Sequence, residues 1–151
     1  EQRAEKLPNF KRAAELYKEA WDRWQFVEAG YNLALMIAYG RGVDQDYIEA
    51  QNLFRSCSLK GHAGCTRYLG VFATHGHGQE NDISDYTSAI MWFDKCVSME
   101  DERVSALCKE ERDELMKLVK MTKDRLQKLA ADNPDVYENV DLNVEIDSAT
   151  I

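Results

Sequence analysis

Apolar residues recur along most of the chain at intervals of three, four and seven, which gathers side chains on one face of an α-helix. Ala50, Leu53, Phe54 and Cys57 form one such face, which must be buried. The same set returns as Ala13, Leu16, Tyr17 and Ala20 upstream, and as Ala89, Trp92, Phe93 and Cys96 downstream. Leu33 and Leu69 each stand seven residues before a glycine, Gly40 and Gly76, and Gly-x-Gly follows both times, through Gly42 and Gly78. Asp46-Tyr47 and Asp85-Tyr86 then open the next apolar run. The repeating unit is therefore a helix, a glycine turn and a second helix. A single hairpin of this size cannot cover its own apolar stripe, so the units must stack.

The pattern predicts helices over residues 10–26, 28–39, 46–60, 62–74 and 84–97. A terminal segment from 102 to 131 carries the stripe Val104, Leu107, Cys108, Leu115, Leu118, Thr122, Leu126 and Leu129, as one helix or two. Asn133-Pro134 ends it, because proline disfavours helix in the residue before it. Asp46 and Glu49 fit a capping box, in which the cap is worth about 1 kcal/mol. Gly40 and Gly61 suit the left-handed residue that closes a helix. Trp21 and Trp24 add bulk to the first helix that must be covered. The division expected is a helical domain at 1–131 and an acidic, extended tail at 132–151. In the tail Val140, Leu142, Val144 and Ile146 alternate with polar residues, which is strand periodicity. Two readings stay open: the tail is disordered or drapes over its own solenoid, or it adds to a partner's sheet edge or threads into a larger assembly.

A net charge of -8 and a pI near 4.9 make nucleic acid a poor partner. No apolar run reaches the eighteen or so residues a membrane span needs. Beginning at Glu1, the sequence does not tell whether a targeting segment precedes it. Cys57 and Cys65 bracket one turn between hairpins, and Cys96 and Cys108 bracket the next. Antiparallel helices joined by a short turn bring such positions within disulfide reach, which points to an oxidising compartment. Four buried reduced thiols are the other reading. Cys57, His62 and Cys65, with His75 or His77 as a fourth ligand, are a candidate zinc or thiol-enzyme site. No Cys-x-x-Cys, nucleophile turn or phosphate-cradling loop is present, and no cofactor is expected. Opposite the core-facing Ala29, Leu33 and Ile37, one projection places Tyr31, Leu35 and Tyr39; Arg67, Val71 and His75 are their counterparts in the next unit. These positions either pack on a neighbouring helix or dock a protein partner.

Ala29, Leu33, Gly40, Gly42, Val43, Asp46, Ala50, Phe54 and Gly61 resemble the pattern of Sel-1-like repeats, relatives of the tetratricopeptide hairpins. A second copy fits through Ala63, Leu69, Gly70, Gly76, Gly78, Asp85, Ala89 and Phe93, with Gln79 in place of the usual valine and a longer turn. The resemblance implies an all-α, right-handed superhelical solenoid with a C-terminal capping helix. The cysteine spacing is similar to that of the cysteine-rich subfamily, which implies bridges Cys57–Cys65 and Cys96–Cys108. It also implies a non-catalytic scaffold working through protein partners, as an accessory or assembly subunit of a larger complex. A mitochondrial respiratory complex reached from the intermembrane space is the first candidate, and a periplasmic or secreted setting the second. The expected partner contacts are Tyr31, Leu35, Tyr39, Arg67 and Val71, with Val140, Leu142, Val144 and Ile146 of the tail.

Overall fold

A computed structural model describes residues 9–78 and 83–137. Among them all regular structure is helical: α1 (Phe10–Trp24), α2 (Val27–Tyr39), α3 (Tyr47–Leu59), α4 (Ala63–His75), α5 (Tyr86–Val97), α6 (Glu102–Asp132) and a short α7 (Pro134–Tyr137). Each helix packs on the next in chain order, and α4 also touches α6. The architecture is an all-α solenoid of stacked hairpins. The tail residues Val140, Leu142, Val144 and Ile146 lie outside the described residues.

The helix starts follow their capping side chains. Asn9, Asp46, Asp85 and Asp101 each accept a hydrogen bond from the backbone N–H three residues on, at 2.9 to 3.0 Å. Each satisfies a donor that the first helical turn leaves without a partner. The α2–α3 and α4–α5 turns are built alike. Gly40 and Gly76 take left-handed φ values of 63° and 74°, and the following N–H reaches back to Met36 O and Phe72 O. The capping aspartates Asp46 and Asp85 then donate their own N–H to Ile37 O and Ala73 O, at 3.2 and 2.8 Å. Sequence repetition thus becomes geometric repetition.

Ala50, Phe54 and Cys57 of α3, and Ala89, Phe93 and Cys96 of α5, are all buried. The matching set on α1 is not. Leu16 is 47% exposed, and α1 instead turns Ala14 and Trp21 inward. Among the described helices, α1 packs chiefly on α2. Trp24, expected to need cover, is 67% exposed. The first helix also stops short of residue 26. Gln25 adopts a left-handed φ of 51° while its side-chain amide donates to Trp21 O at 2.9 Å. The terminal segment is one helix of 31 residues, since no glycine or proline interrupts 102–132.

Two apolar clusters meet along α4. One joins α1 to α4 through Trp21, Leu33, Ile37, Phe54, Leu69 and Phe72. The other joins Ala73 to Ile90, Phe93, Cys96, Cys108 and Leu115 of α5 and α6. Gly70 allows the second joint, because a Cβ there would sit 2.6 Å from the ring of Phe93.

Candidate partner-docking groove

The helices α2, α4 and α6, one from each successive layer, enclose a groove of about 380 Å³. Tyr39, Arg67, Tyr68, Val71, Phe93, Glu111, Leu115 and Leu118 line it, with Thr74, His75 and Glu114. Three of the expected partner contacts, Tyr39, Arg67 and Val71, are therefore brought together. Tyr31 and Leu35 are directed elsewhere. Tyr31 lines a separate cleft of about 580 Å³ along the turn edge, with Glu28, His62, Glu100 and Asp101. Leu35 lies between α1 and α2, beside Phe10, Ala13 and Tyr17. Each step of four residues turns about 40° around the helix and rises about 6 Å along it, so Tyr31 and Tyr39 end about 80° and 12 Å apart.

The groove floor is charged but internally compensated. Arg67 Nε donates to Glu111 Oε2 at 2.9 Å, and a second guanidinium N–H reaches Glu111 Oε1. Burial works against the Arg67 charge, but the Glu111 carboxylate more than offsets it and holds the guanidinium protonated. The guanidinium also lies 5.6 Å from the centre of the Tyr68 ring. Burial, followed by a hydrogen bond with Tyr39, pushes the Tyr68 hydroxyl up to about 12, so it stays a neutral donor. Tyr39 itself is 55% exposed at the rim. The result is an apolar, aromatic trough with phenol groups at one end and a fixed ion pair beneath. Glu111, Tyr68 and Phe93 were not foreseen as groove residues. The terminal stripe hinted only at Leu115 and Leu118.

The cysteines divide into two states. Cys96 and Cys108 are bridged, with Cα atoms 6.1 Å apart, tying α5 to α6. Cys57 and Cys65, expected as a second bridge, are free and buried thiols hydrogen-bonded to one another. That contact and burial push the Cys65 thiol far up, whereas the hydrogen bond from Cys65, aided by Lys60, draws Cys57 down. Both sulfurs have no exposed surface, which does not suit a nucleophile that must meet substrate. His62 is engaged as the cap of α4, its Nδ1 accepting from Cys65 N–H at 3.1 Å while the ring packs 4.7 Å from Tyr31. His77 stacks on Tyr47 at 4.1 Å and His75 bonds Val71 O at 2.8 Å, so neither reaches toward Cys57. Among the described residues no group of three histidines, cysteines or carboxylates is arranged to hold a metal ion. No described helix is long and apolar enough to cross a membrane.

No protein-family model and no curated protein matches the chain. Among solved structures, the crystal structure of a Sel1 repeat protein from Oxalobacter formigenes is similar, at 29% identity and a TM-score of 0.54. The likeness covers 62% of this chain and 37% of that one, so this chain spans well under half of its neighbour's length. Its tandem Gly-x-Gly turns, its stacked hairpins and this likeness together show the chain to be built as a Sel1-like repeat protein.

Proposed function

We propose that the protein is a non-catalytic scaffold that docks a protein segment in the groove between α2, α4 and α6, as an accessory or assembly subunit of a larger complex. The carrying observation is that Tyr39, Tyr68, Val71, Phe93 and Leu118 converge there, an aromatic and aliphatic set whose only charges inside the trough are already paired or at its rim. Such a trough favours a segment that inserts one or two apolar anchors and hydrogen-bonds the phenol groups with its backbone. The bridge Cys96–Cys108 supports an oxidising compartment, for which the mitochondrial intermembrane space is the first assignment and a periplasmic or secreted setting the second.

The test uses native mass spectrometry of complexes purified from the source through a tagged chain. The unsubstituted chain is expected to carry a partner in fixed stoichiometry. Tyr39→Ala combined with Val71→Ser should lose that partner while helicity is kept and the melting temperature falls only slightly, Val71 being partly buried against the α5–α6 cluster. Retention of the partner by this variant would move the docking surface off the groove, and free chain in every preparation would remove the scaffold reading.

A further inference from the structure

The apolar stripe of α6 does not stop where its cover stops. Cys108 and Leu115 are buried against α4 and α5, but the same face continues toward the helix end through Leu118, Thr122, Leu126 and Leu129, with Met121 along its border. Leu118 is 50%, Met121 69%, Leu126 41% and Leu129 39% exposed. No described element covers them. From Met116 to Ala131 the helix carries Lys117, Lys120, Lys123, Arg125 and Lys128 against a single acidic residue, Asp124. At 100° per residue, Lys117, Arg125 and Lys128 fall along one margin of the stripe and Lys123 along the other. In a chain of net charge -8 this is a basic, apolar track.

The chain holds a segment with the opposite character. Residues 132–151 contain six acidic and no basic residues, and Val140, Leu142, Val144 and Ile146 alternate with Asp141, Asn143 and Glu145. We propose that this segment of the same chain occupies the track, laying its four apolar side chains over Leu129, Leu126, Met121 and Leu118. Asp141 and Glu145 then alternate onto the outer side of the segment, where the long lysine side chains rising past its edges from the margins can reach them. The lengths agree. Six extended steps from 140 to 146 span about 20 Å, and the eleven helical steps from Leu118 to Leu129 span about 17 Å. Asn133, with φ -139° and ψ 64°, breaks α6, and the short α7 follows at once, leaving Val140 three residues further on. Those three residues reach about 10 Å. Attachment to the same chain raises the segment's local concentration to the millimolar range, which favours it over a free competitor of equal affinity. The track reaches the docking groove only at Leu118, so the Tyr39 and Val71 end of the groove stays open.

The experiment uses the full chain at two concentrations, as a mixture of isotopically light and heavy protein. Carbodiimide joins lysines directly to carboxylates in contact with them, and peptide mass spectrometry then reads the pairs. Lys120 to Asp124, one helical turn apart, is the internal control for the reagent. The expected result is linkage of Asp141 or Glu145 to Lys117, Lys123 or Lys128, without mixed-isotope products and with a yield that dilution leaves unchanged. Peroxide oxidation gives the second reading. Met121 should oxidise more slowly than Met91, which is 59% exposed on α5, and Leu142→Asp with Val144→Asp should abolish both the linkage and that protection. Linkage confined to mixed-isotope pairs would instead assign the track to a second copy. Absent linkage with a working control, or a Met121 that oxidises as fast as Met91, would also overturn the proposal.

Discussion

His62 shows how much one residue carries that its letter does not announce. Histidine is an unusual helix cap, and the sequence marks it only as a neighbour of two cysteines. In the fold its ring accepts from Cys65 N–H, lies against Tyr31, and is half buried. Burial depresses its basicity below the ordinary value of 6.5, and Glu28 and Asp101 across the cleft only partly restore it. The unfolded chain therefore takes up this proton at higher pH than the folded one. Its contribution to stability is complete above pH 6.5 and is lost as pH falls through the depressed folded value. Chemical denaturation between pH 8 and pH 5 should show stability declining on the acid side. His62→Asn, which keeps a capping oxygen, should flatten that part of the curve. An unchanged slope in the variant would place the titration elsewhere. Gln25 is the complementary case. A non-glycine left-handed residue gives no compositional signal, so the end of α1 could not be read two residues early, whereas Gly40 and Gly76 marked their turns plainly.

At the scale of helices, the apolar spacing revealed which elements exist and, on α3 and α5, which face each buries. What it could not reveal is how the terminal helix is held, because Arg67 and Glu111 are forty-four residues apart and nothing local pairs them. The same holds for Arg112, whose Nη1 donates to Asp94 Oδ1 at 2.8 Å and joins α6 to α5. Arg67, expected as a partner contact, is also a bolt between two of the protein's own helices. Arg67→Glu should therefore destabilise the fold as well as alter the groove. Facing a half-buried Glu111 with a like charge costs the pair and adds repulsion, together about 2 to 4 kcal/mol. Glu111→Arg introduced into that variant should recover more than half of the loss, a coupling read from a double-mutant cycle of melting curves. Independent, additive effects would show that the two side chains do not act as a pair.

Over the whole molecule, stability is divided between joints, as expected where each hairpin touches only its neighbours. The cluster spanning α1 to α4 needs no covalent link in this structure, since it buries Trp21, Phe54, Leu69 and Phe72 and adds the hydrogen bond between Ser58 and Thr66 at 2.7 Å. The far end relies on a smaller cluster in which Cys96 and Cys108 are central. The cysteine positions made this legible as a bracket across a turn, but which bracket closes depended on how the two turns present their sulfurs. Closing a loop of this length stabilises the fold by about 3 kcal/mol in the chain-entropy treatment. Reduction should thus loosen one end rather than the whole. Hydrogen exchange in the presence of a reductant is expected to accelerate across α5 and α6 while α1 to α3 keep their protection, and urea unfolding should broaden or split into two steps. Cys96→Ala should reproduce this without reductant, and Cys57→Ala should not. Uniform acceleration from α1 to α6 would mean that the array unfolds as one unit and that the joints are not separable.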